Sequence, residues 1–367
     1  MDTATQALLG AAVGQAAFGH RLGRRALAWG AVGGLLPDLD VVAVATHGPF
    51  GEFLYHRGPT HALWFGPVVG PALGWLVWRL HGLRRRGGDE PPRAGAAPHP
   101  GDPAVRSAWM GLFVLALFTH PLLDVFTAYG TQLLAPFSLE RFAWNGVSII
   151  DPFYSLVLLV AVAIGLRGSV APATRRRAAA LALALTTAYL GYGWALNERA
   201  ERTVARKLAA EGVVVEQVRA YPTIFQPWLR RVVARTPDEV RVGLHTRWRP
   251  DHVAWERFPA PAPHPLVAKL SETWEGSVFV WFAMGQVHPR VIERRGGTIV
   301  EIDDLRYGFP GEPDRGIWGI RGFFDDEGRL RGGVQRFNRR GNRRDFSLGD
   351  LWRATWGDFS ALGLRSS

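Results

Sequence analysis

Cysteine is absent from the 367-residue chain, which removes disulfides, thiolate metal ligands and thiol nucleophiles from consideration. A Walker phosphate loop, a Rossmann fingerprint, a nucleophile elbow and any clear internal repeat are also missing, so the common nucleotide and serine chemistries have no foothold. The opening MDTATQALLG is acidic rather than basic before its first apolar run, so it does not read as a signal peptide. Insertion into a membrane is expected to use the first helices themselves. Charge, too, is missing from long stretches: none occurs in Thr3–Gly19, Ala62–Trp78, Pro152–Leu166 or Ala178–Asn197, and Ser107–Leu123 carries only His120.

A bilayer core of roughly 30 Å needs about 20 mostly apolar helical residues. Together with Ala26–Leu36, which is short enough to form a broken or partly inserted helix, the uncharged runs predict about six transmembrane or membrane-embedded helices. Beyond Asn197 the pattern changes to short alternating runs with charges throughout, such as EVRVGLHTRW (239–248) and GTIVEIDDLRYGF (297–309). These read as strands, with DDEG (325–328) as a hairpin turn. The expected fold class is therefore an α-helical membrane domain over residues 1–199 followed by a soluble β-rich domain over 200–367.

Arginine placement gives an orientation. Arg21, Arg24 and Arg25, the set from Arg79 to Arg106, and Arg167 with Arg175–Arg177 fall in alternate connectors, which the positive-inside rule assigns to the cytoplasm. The other connectors then face outward, together with the C-terminal domain. PDLD (37–40), HRGPTH (56–61), THPLLD (119–124) and DPFY (151–154) all fall at outward helix ends. That map brings Asp38, Asp40, His56, His61, His120, Asp124 and Asp151 to one membrane face.

His120 and Asp124 share a helical face one turn apart, and Asp38 and Asp40 are expected to bend toward one point after Pro37. Ionisable groups at membrane depth cost about 2.5–3.5 kcal/mol each on insertion scales, so a group of them needs a compensating partner. A divalent cation is the simplest one; mixed imidazole and carboxylate ligands suit Zn, with Mn or Fe as alternatives. A proton relay or ion-transport site is the rival that uses the same residues. Thr60 and Thr119 are read either as partners orienting the imidazoles or as helix caps.

GLLPDLD, HRGPTHALWF, THPLLDVFTAYGTQLLAPFS and DPFY resemble the motifs of the YdjM family of inner-membrane metal-dependent hydrolases, in particular its longer YfhP-like members. DLRYGF and PTIFQPWLRR extend the likeness into the second half. The resemblance implies a multi-pass protein of a bacterial-type cytoplasmic membrane, with a helical site related to zinc-dependent phospholipase C and P1-type nucleases. It implies one to three zinc ions, with Asp38, Asp40, His56, His61, His120 and Asp124 as ligands. One departure stands out: Gln6 occupies a first-helix position where the family carries histidine, so one metal position is expected to be lost, altered or filled by water.

The expected activity is hydrolysis of a phosphoester or lipid-linked phosphate, with Arg57 forking onto the phosphate and Asp151 or Asp38 as general base. The alternative is a non-catalytic regulator or assembly protein whose metal is structural and whose C-terminal domain binds a protein partner; Gln6 favours it. The net charge of +11 resides largely in the orienting loops, so lipids rather than nucleic acid are the expected partners. RFNRRGNRR (336–344) reads as a solvated or lipid-facing strand edge, RRRGGDEPPRAGAAPHPGDP (84–103) as a flexible loop, and the tryptophans as interfacial belts.

Overall fold

The computed structural model describes residues 1–85, 102–308, 312, 314–339 and 347–364. Most of the Pro/Gly-rich segment 84–103 and residues 340–344 of the basic run lie outside the described residues. Contacts divide the chain into two compact units: 1–43 with 55–144 and 148–192, and 44–54 with 145–147 and 193–367.

The first unit is helical. Helices α1 (Thr3–Leu22) and α2 (Arg24–Leu35) lead to a 3-10 turn, Leu36–Asp40, and to a short α3 (Val41–Thr46). A second short helix, α4 (Gly51–Tyr55), most of which belongs to the second unit, precedes the 3-10 turn Pro59–His61. Longer helices follow: α5 (Phe65–Arg85), α6 (Pro103–Asp124), α7 (Pro152–Leu166) and α8 (Pro172–Ala210). Small residues let the first two helices meet backbone to backbone: a Cβ added at Gly10 would stand 2.2 Å from the Gly30 carbonyl oxygen. That approach carries the end of α2 toward α6, where Leu112 and Phe113 centre a core with Ala26, Trp109 and Val105.

Two described helices, α6 and α8, are long and apolar enough to cross a membrane, and α7 is apolar but shorter. The expected number of about six is thus corrected to two. Absence of charge is a weaker criterion than apolarity: α1 is diluted by Thr, Gln and Gly, and α2 has only 12 residues. Leu156, Leu159 and Val160 on α7 and Leu181 and Leu185 on α8 expose 50–61% of their surface, the pattern of lipid-facing side chains.

The second unit holds two four-stranded antiparallel sheets with strands in sequence order. The first contains β1 (Gln217–Pro222), β2 (Leu229–Arg235), β3 (Glu239–Thr246) and β4 (Val253–Pro259). Its Ala220, Val232, Ala234 and Val253 pack on Ala200, Val204 and Leu208 of the second half of α8. Helices α9 (Pro265–Glu272) and α10 (Trp274–Phe282) lead to β5 (Val287–Arg294), β6 (Gly297–Asp304), β7 (Trp318–Phe324) and β8 (Leu330–Asn338), and α11 (Leu348–Thr355) follows. DDEG is the β7–β8 turn, with Gly328 at φ 70° and the Asp325 carboxylate accepting from the Arg329 N–H at 2.8 Å.

The segment 44–54, which connects the two 3-10 turns, is built into this unit. Phe53 stacks on Phe282 at 4.4 Å, Arg336 lies over Phe53 at 4.5 Å, and Arg336 pairs with Glu52 at 2.6 Å.

Candidate metal centre

The 3-10 turn Leu36–Asp40 turns by about 120° per residue, so Asp38 and Asp40 point in different directions. This corrects the expectation that both bend toward one point. Asp38 faces the inner nitrogens of two histidines: its Oδ1 is 3.4 Å from His120 Nε2 and 3.6 Å from His61 Nε2. The two Nε2 atoms stand 3.0 Å apart, and Asp124 Oδ2 lies 3.4 Å from His61 Nε2 and 3.6 Å from His120 Nε2. His61, His120 and Asp124 are at most 1% exposed; the Asp38 side chain, at 14%, is the wettest of the four.

The outer imidazole nitrogens fix which lone pairs face inward. His120 Nδ1 lies 2.7 Å from the Gly34 carbonyl oxygen, which only accepts, so Nδ1 carries the proton and Nε2 offers its lone pair to the centre. His61 Nδ1 lies 3.3 Å from Asp40 Oδ2, and the Thr60 hydroxyl donates to the same carboxylate oxygen at 3.2 Å. Two imidazole Nε2 atoms and two carboxylate oxygens therefore converge. Asp38, His61 and His120 are a group that can hold a metal ion. Asp124 Oδ2 is buried beside the same two Nε2 atoms and faces Arg57 Nε on its other side. With metal–ligand bonds of about 2.0–2.1 Å, two ligands of one tetrahedral ion stand about 3.3–3.4 Å apart, which the 3.0–3.6 Å separations among Asp38 Oδ1, His61 Nε2 and His120 Nε2 match.

Asp40 and His56 stand behind this group rather than in it. His56 Nδ1 bonds Asp40 Oδ1 at 2.9 Å, and the Arg57 backbone N–H donates to Asp40 Oδ2 at 2.9 Å. Burial opposes ionisation of Asp40, but hydrogen bonds from His56 and His61 outweigh it and hold the carboxyl well below the usual range. Burial acts against Asp38 in the same way, and His120 and His61 outweigh it. We expect Asp40→Asn to keep the fold and lower metal affinity by about 10–100-fold, because His61 loses the charge that orients its ring. Competition against a chromogenic chelator reads the change; an unchanged affinity would show that Asp40 does not support the ligand.

Arg57 is 3% exposed and adopts φ 60°, a left-handed conformation strained for a non-glycine residue. Its Nε lies 3.2 Å from Asp124 Oδ2, Nη1 donates to Thr127 Oγ1 at 2.7 Å, and the guanidinium covers the Tyr129 ring. The expected phosphate fork is thereby corrected: the guanidinium is turned inward and holds Asp124. Asp151 caps α7, accepting from the Phe153 and Tyr154 N–H groups and from the Tyr189 hydroxyl at 2.9 Å. Burial pushes its carboxyl up to about 6, against those hydrogen bonds. It thus serves as a helix cap, and it is not part of the group that can hold the ion. Thr119 bonds back to the Leu115 carbonyl of its own helix.

Gln6 donates from Nε2 to Asp124 Oδ1 at 3.0 Å and to the His120 carbonyl at 3.2 Å. Both partners are acceptors and require the amide nitrogen there, so Gln6 tethers Asp124 through its donor end. The Met1 ammonium group also contacts Asp124 Oδ1. Gly34, Thr127 and Tyr129 lie within GLLPDLD and THPLLDVFTAYGTQLLAPFS, but their parts here, a backbone carbonyl for His120 and a hydroxyl and a ring for Arg57, depend on the fold and are not readable from residue type.

No solved structure matches the chain. The uncharacterized protein YfhP of Bacillus subtilis (strain 168) is 29% identical over 182 residues, covering 46% of this chain and 47% of the relative. The chain thus spans about half the length of that curated relative. The family model described as YdjM inner membrane protein matches residues 1–200, a stretch that contains all of the converging side chains. The chain belongs to the YdjM family of inner membrane proteins.

Proposed function

We propose that the protein is a membrane-bound, metal-dependent hydrolase of phosphoester or lipid-linked phosphate substrates, with one divalent cation on Asp38, His61, His120 and Asp124. The observation that carries this reading is the 3.0–3.6 Å spacing of Asp38 Oδ1, His61 Nε2 and His120 Nε2, with Asp124 Oδ2 3.4–3.6 Å from the same two nitrogens. Zinc suits the donor set best, with manganese or iron as alternatives. When bound, such a cation polarises a phosphoryl oxygen and makes water a competent nucleophile near neutral pH. The chain's own groups prepare the site: Asp40 and Gly34 hold the imidazole protons on the outer nitrogens, and Arg57 and Gln6 anchor Asp124. Asp38 is the wettest corner, so substrate approaches from its side. The multi-pass arrangement and the outward placement of the C-terminal domain belong to this same proposal.

A second reading has a specific observation in its favour. With Asp124 beside Asp38, His61 and His120, every donor around the ion would be a protein atom, and fully protein-ligated sites are the structural kind, whereas catalytic ones keep a position open. In that reading the protein is a regulator or assembly factor with a structural metal. Element-resolved metal analysis of detergent-purified protein, paired with turnover of a phosphoester panel, separates the readings. Stoichiometric metal with hydrolysis supports the hydrolase, metal without hydrolysis supports the structural reading, and protein without metal overturns both.

A further inference from the structure

The chain presents an exposed tryptophan face far from the ligand-bearing motifs in sequence. On α11 and its C-cap, Leu348, Trp352 and Trp356 recur every fourth residue and so share one helix face. They are 69%, 55% and 47% exposed. The opposite face buries Leu351 and Ala354, and Ala354 packs with Leu229, Leu244 and Phe359. Trp248, 45% exposed on the β3–β4 connection, stacks on Trp356 at 4.9 Å, and the Arg247 guanidinium covers Trp248 at 4.5 Å. Four large apolar side chains held in a continuous patch are costly in water.

The place of this patch in the unit points to what covers it. Arg230, at the start of β2, donates to the Gly193 carbonyl and to Asn197 Oδ1, both at 2.7 Å. Those residues lie where the uncharged stretch of α8 stops, just before Glu198 and Arg199, and Trp194 beside them is 46% exposed. Arg230 is paired across the sheet with His245. The strand then runs directly through Thr246 into Arg247 and Trp248. Thr246 donates to the Thr355 carbonyl, and Gln226 Nε2 donates to Thr355 Oγ1 at 2.7 Å, which fixes α11 to the same sheet end. The patch therefore belongs to the end of the sheet that is fastened to α8 where its apolar stretch ends.

We propose that Leu348, Trp352, Trp356 and Trp248 form a membrane-interface anchor that lies in the headgroup layer of the bilayer crossed by α8. Indole rings favour that layer, with an apolar body and a polar N–H. An amphipathic helix in such a position buries its apolar face roughly 5–10 Å into the headgroup and acyl boundary. Arg247, Arg249 and Arg353 rim the patch; Asp350 is bound to Arg353 and Ser347, and Asp358 to Ser360. With acids and bases so nearly balanced, apolar insertion rather than anionic lipid drives the contact. The inference rests on α8 spanning the membrane, and it is independent of any hydrolase activity.

Because the chain has no cysteine, a single introduced one takes a unique spin label. Leu348→Cys, Trp352→Cys, Leu185→Cys on α8 and Glu327→Cys at the β7–β8 turn are labelled in the full-length protein. In nanodiscs of phosphatidylcholine, with and without phosphatidylglycerol, the relative accessibility to oxygen and to a water-soluble nickel chelate reports depth. The expected ratio at Leu348 and Trp352 is severalfold above that at Glu327, below that at Leu185, and the same in both lipid mixtures. Lipid values at Leu185 with aqueous values at Leu348 and Trp352 overturn the anchor alone and leave the face for a protein partner. Aqueous values at Leu185 overturn the membrane reading and the anchor with it.

Discussion

His120→Ala is expected to lower cation affinity by about 10²–10³-fold while leaving the helical unit folded. Structural zinc sites contribute about 10–16 kcal/mol over four ligands, or roughly 2.5–4 kcal/mol for each, and every 1.4 kcal/mol is a factor of ten. His120 is fully buried, but its side chain is bound only at the centre and at the Gly34 carbonyl, so truncation leaves a small polar gap without stranding a charge. Asp124 behaves differently. Its removal leaves the buried Arg57 guanidinium without its carboxylate, a change worth about 3–5 kcal/mol in buried pairs. Asp124→Ala therefore confounds metal loss with unfolding, and His120→Ala is the cleaner probe. Isothermal titration of both variants and the wild type with zinc checks the ordering; a His120→Ala protein that binds zinc like the wild type would remove this side chain from the ligand set.

The same titration has an expected pH dependence. Without a bound cation, burial disfavours the charged imidazole of His61, but hydrogen bonding to Asp124, Asp38 and Asp40 outweighs it and raises the pKa to about 10. A cation that takes Nε2 must displace that proton. Below about 10 each binding event releases a proton from His61, so apparent affinity rises about tenfold per pH unit from neutrality toward 10. Asp38 and Asp40 are ionised throughout that window and contribute no proton.

The legible part of the site came from residues whose chemistry conflicts with their surroundings. His120 and Asp124 stand at the end of an uncharged run, and HRGPTH stands at the head of another, so both announce themselves in the sequence. Helix geometry alone placed His120 and Asp124 on one face. What stayed illegible depended on local backbone pitch. Asp38 and Asp40 look equivalent in PDLD, yet the 3-10 turn sends one to the inner nitrogens and the other to the outer nitrogen of His61. Arg57 looked available to a ligand because it stands between two histidines; its left-handed backbone and the carboxylate of Asp124 turn it inward. In the fold, the alternating strands and the DDEG turn were readable from period and turn chemistry. Segment 44–54 was not, because nothing local in it says that Phe53 packs on Phe282, a contact hundreds of residues away in sequence.

Arg230→Met is expected to destabilise the C-terminal unit by about 3–5 kcal/mol. Arg230 is 1% exposed, and its guanidinium donates to the Asn145, Gly146 and Gly193 carbonyls and to Asn197 Oδ1 at 2.7–3.1 Å. Methionine fills much of the volume and removes the cost of a buried charge, but it leaves these acceptors without their donor, at about 1–3 kcal/mol for each that water cannot reach. Lysine, a point charge on a flexible stem, cannot reproduce a fork that grips two connections at once. Residues 145–147 are the stretch between Asp124 and Asp151 that belongs to the β-rich unit, and Gly193 and Asn197 are where α8 enters it. The fork therefore ties the sheet to both pieces of chain that lead back to the helical unit. A fall of roughly 6–20 °C in the unfolding midpoint is expected, at about 2–4 °C per kcal/mol for units of this size. Intrinsic tryptophan fluorescence of the detergent-purified protein measures it, and because the converging side chains all lie in the other unit, zinc affinity of the folded variant should stay within a factor of a few of the wild type. A variant with unchanged midpoint would show that water replaces the fork, whereas a variant that unfolds normally yet loses zinc would show that the β-rich unit helps to shape the centre.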